Sequence, residues 1–207
     1  MIISLIGFMG CGKSSVGRRL SELLCCPFID LDDVIEKREG RTISEIFAAE
    51  GEAGFREIEL ESMLTIVEGG CSKTESLPRL RRGPLPFTRP RAATVLDSST
   101  LHNSHLVLAL GGGTVMTPQC AELVMEKTLC IYLKASVDTL MKRLASETES
   151  RPLLDSNTSS SMQNRIEDLL AQRSTTYENT ASITIDTDGK SIEEIAASLA
   201  AAVSAEQ

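Results

Sequence analysis

The eight residues GFMGCGKS at positions 7–14 follow directly on the apolar run MIISLI. Their spacing, G-x-x-x-x-G-K-[ST], is that of a phosphate-binding P-loop. Such a loop joins a buried strand to the N-terminus of a helix, so one short stretch already restricts the chain to folds that contain that junction. The glycines let the backbone turn tightly, successive N–H groups converge on one anion, and the positive end of the following helix reinforces them. The pattern predicts a phosphate cradle over Gly10, Cys11, Gly12, Lys13, Ser14 and Ser15. Lys13 then reaches the β- and γ-phosphates as a point charge, and the Ser14 hydroxyl supplies an oxygen ligand to a magnesium ion.

Five short runs rich in Ile, Leu and Val read as buried strands: IISLIG, PFIDLD, LVLALGGG, LCIYLK and SITIDT. Helical patterns lie between them. The first, leaving the P-loop, carries Val16, Leu20, Leu23 and Leu24. Capping boxes announce two more, at Thr42 with Glu45 and at Ser191 with Glu194, the latter opening the stripe Ile192, Ile195, Leu199, Val203. Alternation of strand and helix predicts an α/β fold in which a parallel five-stranded sheet is covered by helices on both faces. Ligands in such sheets bind at the carboxyl ends of the strands, where the P-loop, the acids after PFI and the glycines after LVLAL all fall.

Length and charge exclude several function classes. At 207 residues and 42% hydrophobic, the chain fits one domain, spanning 1–207. A net charge of −8 opposes binding to nucleic acid or to an anionic membrane, so an anionic substrate has to be met by locally clustered arginine or lysine. No apolar run approaches the length of a membrane span, and Met1 leads straight into the first strand with no room for a targeting peptide, which predicts a soluble, cytoplasmic protein; a monomer is the expectation for its assembly, although the residues do not fix the oligomeric state. The six cysteines have no C-x-x-C spacing and suit reduced thiols rather than a disulfide framework or zinc site. His102 and His105 read as ordinary solvated side chains.

Four further features carry chemistry. Asp30, Asp32 and Asp33 follow the second strand, and alternation would put Asp30 and Asp32 on one side of it. One carboxylate could hold magnesium through water while the other orients or deprotonates an alcohol; acids at a strand end can also be simply a solvated helix N-terminus, a reading the adjacent P-loop disfavours. Arg56 and Glu59 stand three apart on a predicted helix, close enough to pair. Arg173 continues the stripe Met162, Ile166, Leu169, Leu170 and so faces inward, with Tyr177 one turn on. A planar guanidinium there suits a substrate carboxylate. Finally, residues 146–161, SETESRPLLDSNTSSS, form a Ser- and Thr-rich loop around Arg151, as expected of a lid over a phosphate site.

The ordered set GFMGCGKS, FIDLD, GEAGFREIE, LGGG, RPLL and R-x-x-x-Y resembles shikimate kinases of the nucleoside-monophosphate-kinase-like P-loop fold. The resemblance implies ATP as co-substrate, Mg2+, and transfer of the γ-phosphoryl group to the 3-hydroxyl of shikimate. It implies Lys13 as the phosphate-binding lysine, Ser14 as the direct magnesium ligand and Asp30 as its outer partner. Asp32 matches the carboxylate that contacts the ring hydroxyls and acts as base. Arg56, Arg173 and the Gly111, Gly112, Gly113 segment match the positions that hold shikimate. Arg151 matches the lid arginine, and Arg143 or Lys142 the group lying against adenine.

Two departures stand out. Thr175 occupies a place where the family often has proline, a change expected to loosen a local turn. Residues 69–104 hold four of the seven prolines (Pro78, Pro84, Pro86, Pro90) and six basic residues against two acids, a net +4 on an acidic chain. They read as a surface insertion without a catalytic group. Another small-molecule kinase of the same fold, gluconate-like for example, would share the P-loop without needing Asp32, Arg56 and Arg173. A non-catalytic nucleotide-binding module would be expected to have lost Lys13, Asp32 or Arg151, and all three are present.

Overall fold

The computed structural model describes residues 1–69, 105–145 and 159–205. Each of the five apolar runs contains a strand: β1 (Ile2–Ile6), β2 (Phe28–Asp30), β3 (Leu106–Ala109), β4 (Thr128–Lys134) and β5 (Ile183–Asp186). They form one sheet in the order β2-β3-β1-β4-β5, with every neighbouring pair parallel. Thus β1, which feeds the P-loop, lies at the centre, flanked by β3 and β4.

The period-two alternation of the central strands divides the interior into two cores. Ile3 and Leu5 of β1, Val107 of β3, and Ile131 and Leu133 of β4 pack with Val16 and Leu20 of α1 (Lys13–Leu23), Leu140 and Leu144 of α5 (Val137–Ala145), and Ile195, Leu199 and Val203 of α7 (Ile192–Ala205). Leu106, Leu108, Cys130 and Tyr132 point the other way. They meet Ile35 of α2 (Leu31–Glu39), Ile46, Phe55, Ile58 and Met63 of α3 (Ile43–Val67), and Val124 of α4 (Pro118–Lys127). Each fully buried side chain of this size contributes about 1.5–3 kcal/mol through area removed from water. Helix α6 (Ser159–Thr180) joins the two cores, placing Ile166 in the first and Tyr177 in the second.

Both expected capping boxes form. Thr42 Oγ1 accepts from Glu45 N while Glu45 Oε2 accepts from Thr42 N, and Ser191 and Glu194 repeat the pattern. α3 is interrupted at Gly51, whose φ of 68° and ψ of −175° lie outside the helical region. Three local expectations change. Leu23 and Ile192, each at the outer margin of its helix's apolar stripe, are 42% exposed. Thr175 sits inside the continuous α6 rather than in a turn, so no turn exists there to loosen. Asp32 is not on a strand at all. β2 ends at Asp30, which caps α2, so Asp32 reaches the cleft from the first helical turn. Among the described residues no helix is long and apolar enough to cross a membrane.

Candidate active site

The P-loop leaves β1 at the sheet's carboxyl edge and closes on α1. Gly12 is the helix N-cap with φ 98° and ψ 18°, in the left-handed region where a side chain would be strained, and no acidic residue occupies the first turn of α1. The positive end of this helix is therefore left uncompensated by its own sequence and faces the loop. Lys13 Nζ donates to the carbonyls of Gly7 at 2.8 Å and Phe8 at 2.9 Å, which holds the ammonium across the mouth of the loop. Cys11 is buried beneath it, so this residue offers the cradle its backbone and not its thiol.

Next to the loop, Ser14 Oγ donates to Asp30 Oδ2 at 2.6 Å. The other oxygen of Asp30 accepts from Asp32 N at 3.2 Å, so a single carboxylate both caps α2 and faces the P-loop serine. Two hard oxygen donors side by side at a phosphate cradle fit a magnesium ion, which favours few protein ligands plus phosphate and water. Met9, Gly10, Lys13 and Ser14 on one side and Asp32, Gly111 and Gly112 on the other line one cleft. Asp32 lies over Gly111, since a methyl group built there would stand 3.1 Å from Asp32 Oδ1.

The far wall of the cleft is the glycine run after β3, and two arginines border it. Arg173 Nη1 donates to the Gly112 carbonyl at 3.4 Å, and its guanidinium carbon lies 5.9 Å from the centre of the Phe8 ring, tying this arginine to both the glycine run and the P-loop. The same carbonyl accepts from the Tyr177 hydroxyl. Burial pushes the Tyr177 pKa well above the usual phenol value, partly offset by Arg173, so the phenol remains a donor at neutral pH. Arg56 packs against Gly113, where a methyl group would be forced into its guanidinium.

Arg56 also pairs with Glu59, Nη1 to Oε2 at 2.7 Å, and Glu59 is fully buried. Burial opposes the Arg56 charge, but the attraction of Glu59 and then Glu52 outweighs it and holds the pKa above its ordinary value. The pair that sequence spacing put within reach thus forms at the edge of the core, with Glu59 buried and Arg56 partly exposed. Beside the pair, burial pushes the Cys120 thiol up to about 12.

Arg143 is brought to the opposite end of the P-loop. It donates to the carbonyls of Cys11 at 2.9 Å and Thr187 at 3.2 Å, linking the loop to the segment after β5. Lys142 is exposed. Arg151, residues 146–158 of the expected lid and the basic stretch from residue 70 to 104 lie outside the described residues, while the lid's last three residues, 159–161, already belong to α6. Thr114, Thr187 and Phe8 are contributors that the residue pattern does not mark. Only the position of Thr114, immediately after three glycines, offers a signal.

A P-loop at the carboxyl edge of a β2-β3-β1-β4-β5 sheet, faced by a carboxylate and two arginines, defines a phosphotransferase for a small anionic acceptor. The sequence profile of shikimate kinases matches residues 9–71 and 85–204. The chain belongs to the shikimate kinase family. It is 34% identical over 203 residues to the shikimate kinase of Chlorobium phaeobacteroides, covering 94% of this chain and 88% of that one. With the shikimate kinase of Thioalkalivibrio sulfidiphilus the identity is 36% over 193 residues, covering 93% and 82%. Among solved structures, shikimate kinase from Acinetobacter baumannii in complex with shikimate superposes with a TM-score of 0.75 at 28% identity, covering 100% of this chain and 94% of that one. Shikimate kinase from Bacteroides thetaiotaomicron gives 0.76 at 26%, covering 99% and 98%. The family match passes over residues 72–84, within the basic stretch.

Proposed function

We propose that this cleft transfers the γ-phosphoryl group of ATP in line to the 3-hydroxyl of shikimate, giving shikimate 3-phosphate and ADP. Family membership makes the chain an ATP-dependent kinase acting on a hydroxyl group. The observation that carries the finer reading is the wall of three glycines: Asp32 lies over Gly111, Arg173 bonds to Gly112, and Arg56 packs on Gly113. A carboxylate for a hydroxyl and two guanidinia for a carboxylate therefore stand on one short backbone segment facing the P-loop.

In this assignment Arg56 and Arg173 take the shikimate carboxylate, and the backbone of Gly111, Gly112 and Gly113 forms the surface beneath the ring. Asp32 orients the attacking hydroxyl and accepts its proton as the oxygen–phosphorus bond forms. Gly10, Cys11, Gly12 and Ser15 cradle the phosphates through the loop and helix start, while Lys13 neutralises the β- and γ-phosphates. Ser14 and Asp30 are the residues that would hold Mg2+, which supplies further neutralisation of phosphate charge when bound. Arg143 borders the adenine, and Arg151 closes on the transferred group. Positioning and charge neutralisation do most of the catalytic work in such transfers. The enzyme works as a cytoplasmic monomer on small molecules, without nucleic acid or membrane.

A coupled ADP-release assay with ATP, Mg2+ and either shikimate or gluconate tests the reading. Shikimate-dependent ADP release is expected. A folded sample that turns over only with the other acceptor, or with none, would sink it.

A further inference from the structure

We propose that Thr114 is a positioning residue for the acceptor site, acting through Glu59 on the orientation of Arg56. The inference rests on the assignment of Arg56 to the shikimate carboxylate. Thr114 directly follows the glycine run, opens the short 3-10 turn Thr114–Met116 and is fully buried. Its backbone serves the loop, with Thr114 N donating to Gly111 O at 3.2 Å and Thr114 O accepting from Thr117 N at 3.2 Å. Buried threonine hydroxyls commonly bond back to a nearby carbonyl. This one instead donates to Glu59 Oε1 at 2.6 Å, 55 residues away in sequence.

The two oxygens of the Glu59 carboxylate then have different tasks. Oε1 takes the Thr114 hydroxyl and Oε2 takes Arg56 Nη1 at 2.7 Å. A carboxylate anchored on one oxygen has a fixed plane, and a bidentate-capable guanidinium bonded to the other inherits that plane. The remaining neighbour of Arg56 in this network, Glu52, is an exposed residue at 3.3 Å and provides little restraint. The stiff side of the contact is therefore Thr114–Glu59, with the Gly113 backbone packed on the guanidinium's other edge. Removing the hydroxyl leaves Oε1 buried without this donor, and the carboxylate swings to seek another, taking Arg56 with it.

The test is steady-state kinetics of full-length Thr114→Val, Thr114→Ser, Thr114→Ala, Arg56→Ala and the double variant Thr114→Val with Arg56→Ala. Loss of a contact used equally by bound substrate and transition state raises KM with kcat unchanged. Thr114→Val is expected to raise the shikimate KM about fivefold to tenfold, leaving kcat and the ATP KM within about twofold, and Thr114→Ser to restore the wild-type value. In the Arg56→Ala background the valine should add nothing further. If the valine variant does not fold, the Ala and Ser pair makes the same hydroxyl comparison. A normal shikimate KM without the hydroxyl, alongside an impaired Arg56→Ala, overturns the role of Thr114 alone. Equal impairment of Ser and Val, a parallel rise in the ATP KM, or an undiminished effect without Arg56 overturns it too, since each points to packing rather than positioning. A normal shikimate KM in Arg56→Ala removes the assignment of Arg56 itself.

Discussion

On the assignment proposed above, the P-loop end of the cleft and its arginine end hold an anion in opposite ways. At the P-loop end the work is done by backbone from one eight-residue stretch, with Gly12 in a conformation suited to glycine and a helix terminus behind it. At the arginine end it is done by side chains from α3 and α6, brought to the glycine wall after β3 by the fold. Backbone donors are fixed by local geometry, so the first site is built as soon as its strand and helix are. Long guanidinium side chains are not, and each needs partners to hold it: Glu59 for Arg56, the Gly112 carbonyl for Arg173.

That contrast can be broken at either end. The largest effect is expected from Lys13→Ala, which removes the charge spanning the P-loop and no core volume. Turnover should fall by about 1000-fold or more, with circular dichroism and melting temperature unchanged. Substantial residual kcat would mean that the backbone cradle alone suffices. Asp32→Asn keeps shape and hydrogen bonding but removes the negative charge that the proposed base requires, and kcat should drop by roughly 100-fold, read at saturating shikimate. A near-normal kcat would leave Asp32 only a positioning task.

Arg173→Lys sharpens the comparison, because it preserves charge and discards the planar fork. Shikimate binding should weaken by about 1–3 kcal/mol, measured by calorimetry, while ATP affinity hardly moves. Equal weakening of both ligands would show that the Phe8 contact makes Arg173 part of the P-loop end as well. The smallest effect is expected from excising residues 72–84, the stretch the family match passes over, and joining its ends with a short glycine-serine linker. Loop closure depends weakly on length, so kcat and both KM values should stay within about threefold. A soluble deletion without turnover would give that stretch a role at one end or the other.

The same contrast explains what could be read from the residues alone. A site made of contiguous backbone leaves a contiguous motif, and GFMGCGKS predicted the strand, the helix and the cradle together. The five strands were legible because parallel sheets buried on both faces produce uninterrupted apolar runs. Arg173 was legible because it continues a helical stripe, and Arg56 with Glu59 because they stand one turn apart. Asp32 was placed in the cleft by a mistaken local argument, since the chain turns helical right after Asp30 and period-two reasoning no longer applies. Tyr177 was legible as the residue one turn after Arg173, but its bond to Gly112 was not, nor that of Thr114 to Glu59, for a plainer cause. The partners of Thr114 and Tyr177 are 55 and 65 residues away, and in the case of Tyr177 the partner is a carbonyl, which every residue has.

Gly113 has a φ of −109° and a ψ of −4°, values open to any amino acid, so its backbone does not require glycine. What opposes a side chain is the Arg56 guanidinium, which lies where the first carbon would go and would have to move aside. On the proposed assignment of Arg56 to the acceptor carboxylate, selection on this glycine is selection on the arginine: drift at residue 113 would be weeded out through lost acceptor capture, not through a misfolded loop. A lineage that abandoned the carboxylate-bearing acceptor and let the arginine go would be free to fill the position, making residue 113 a marker of substrate history.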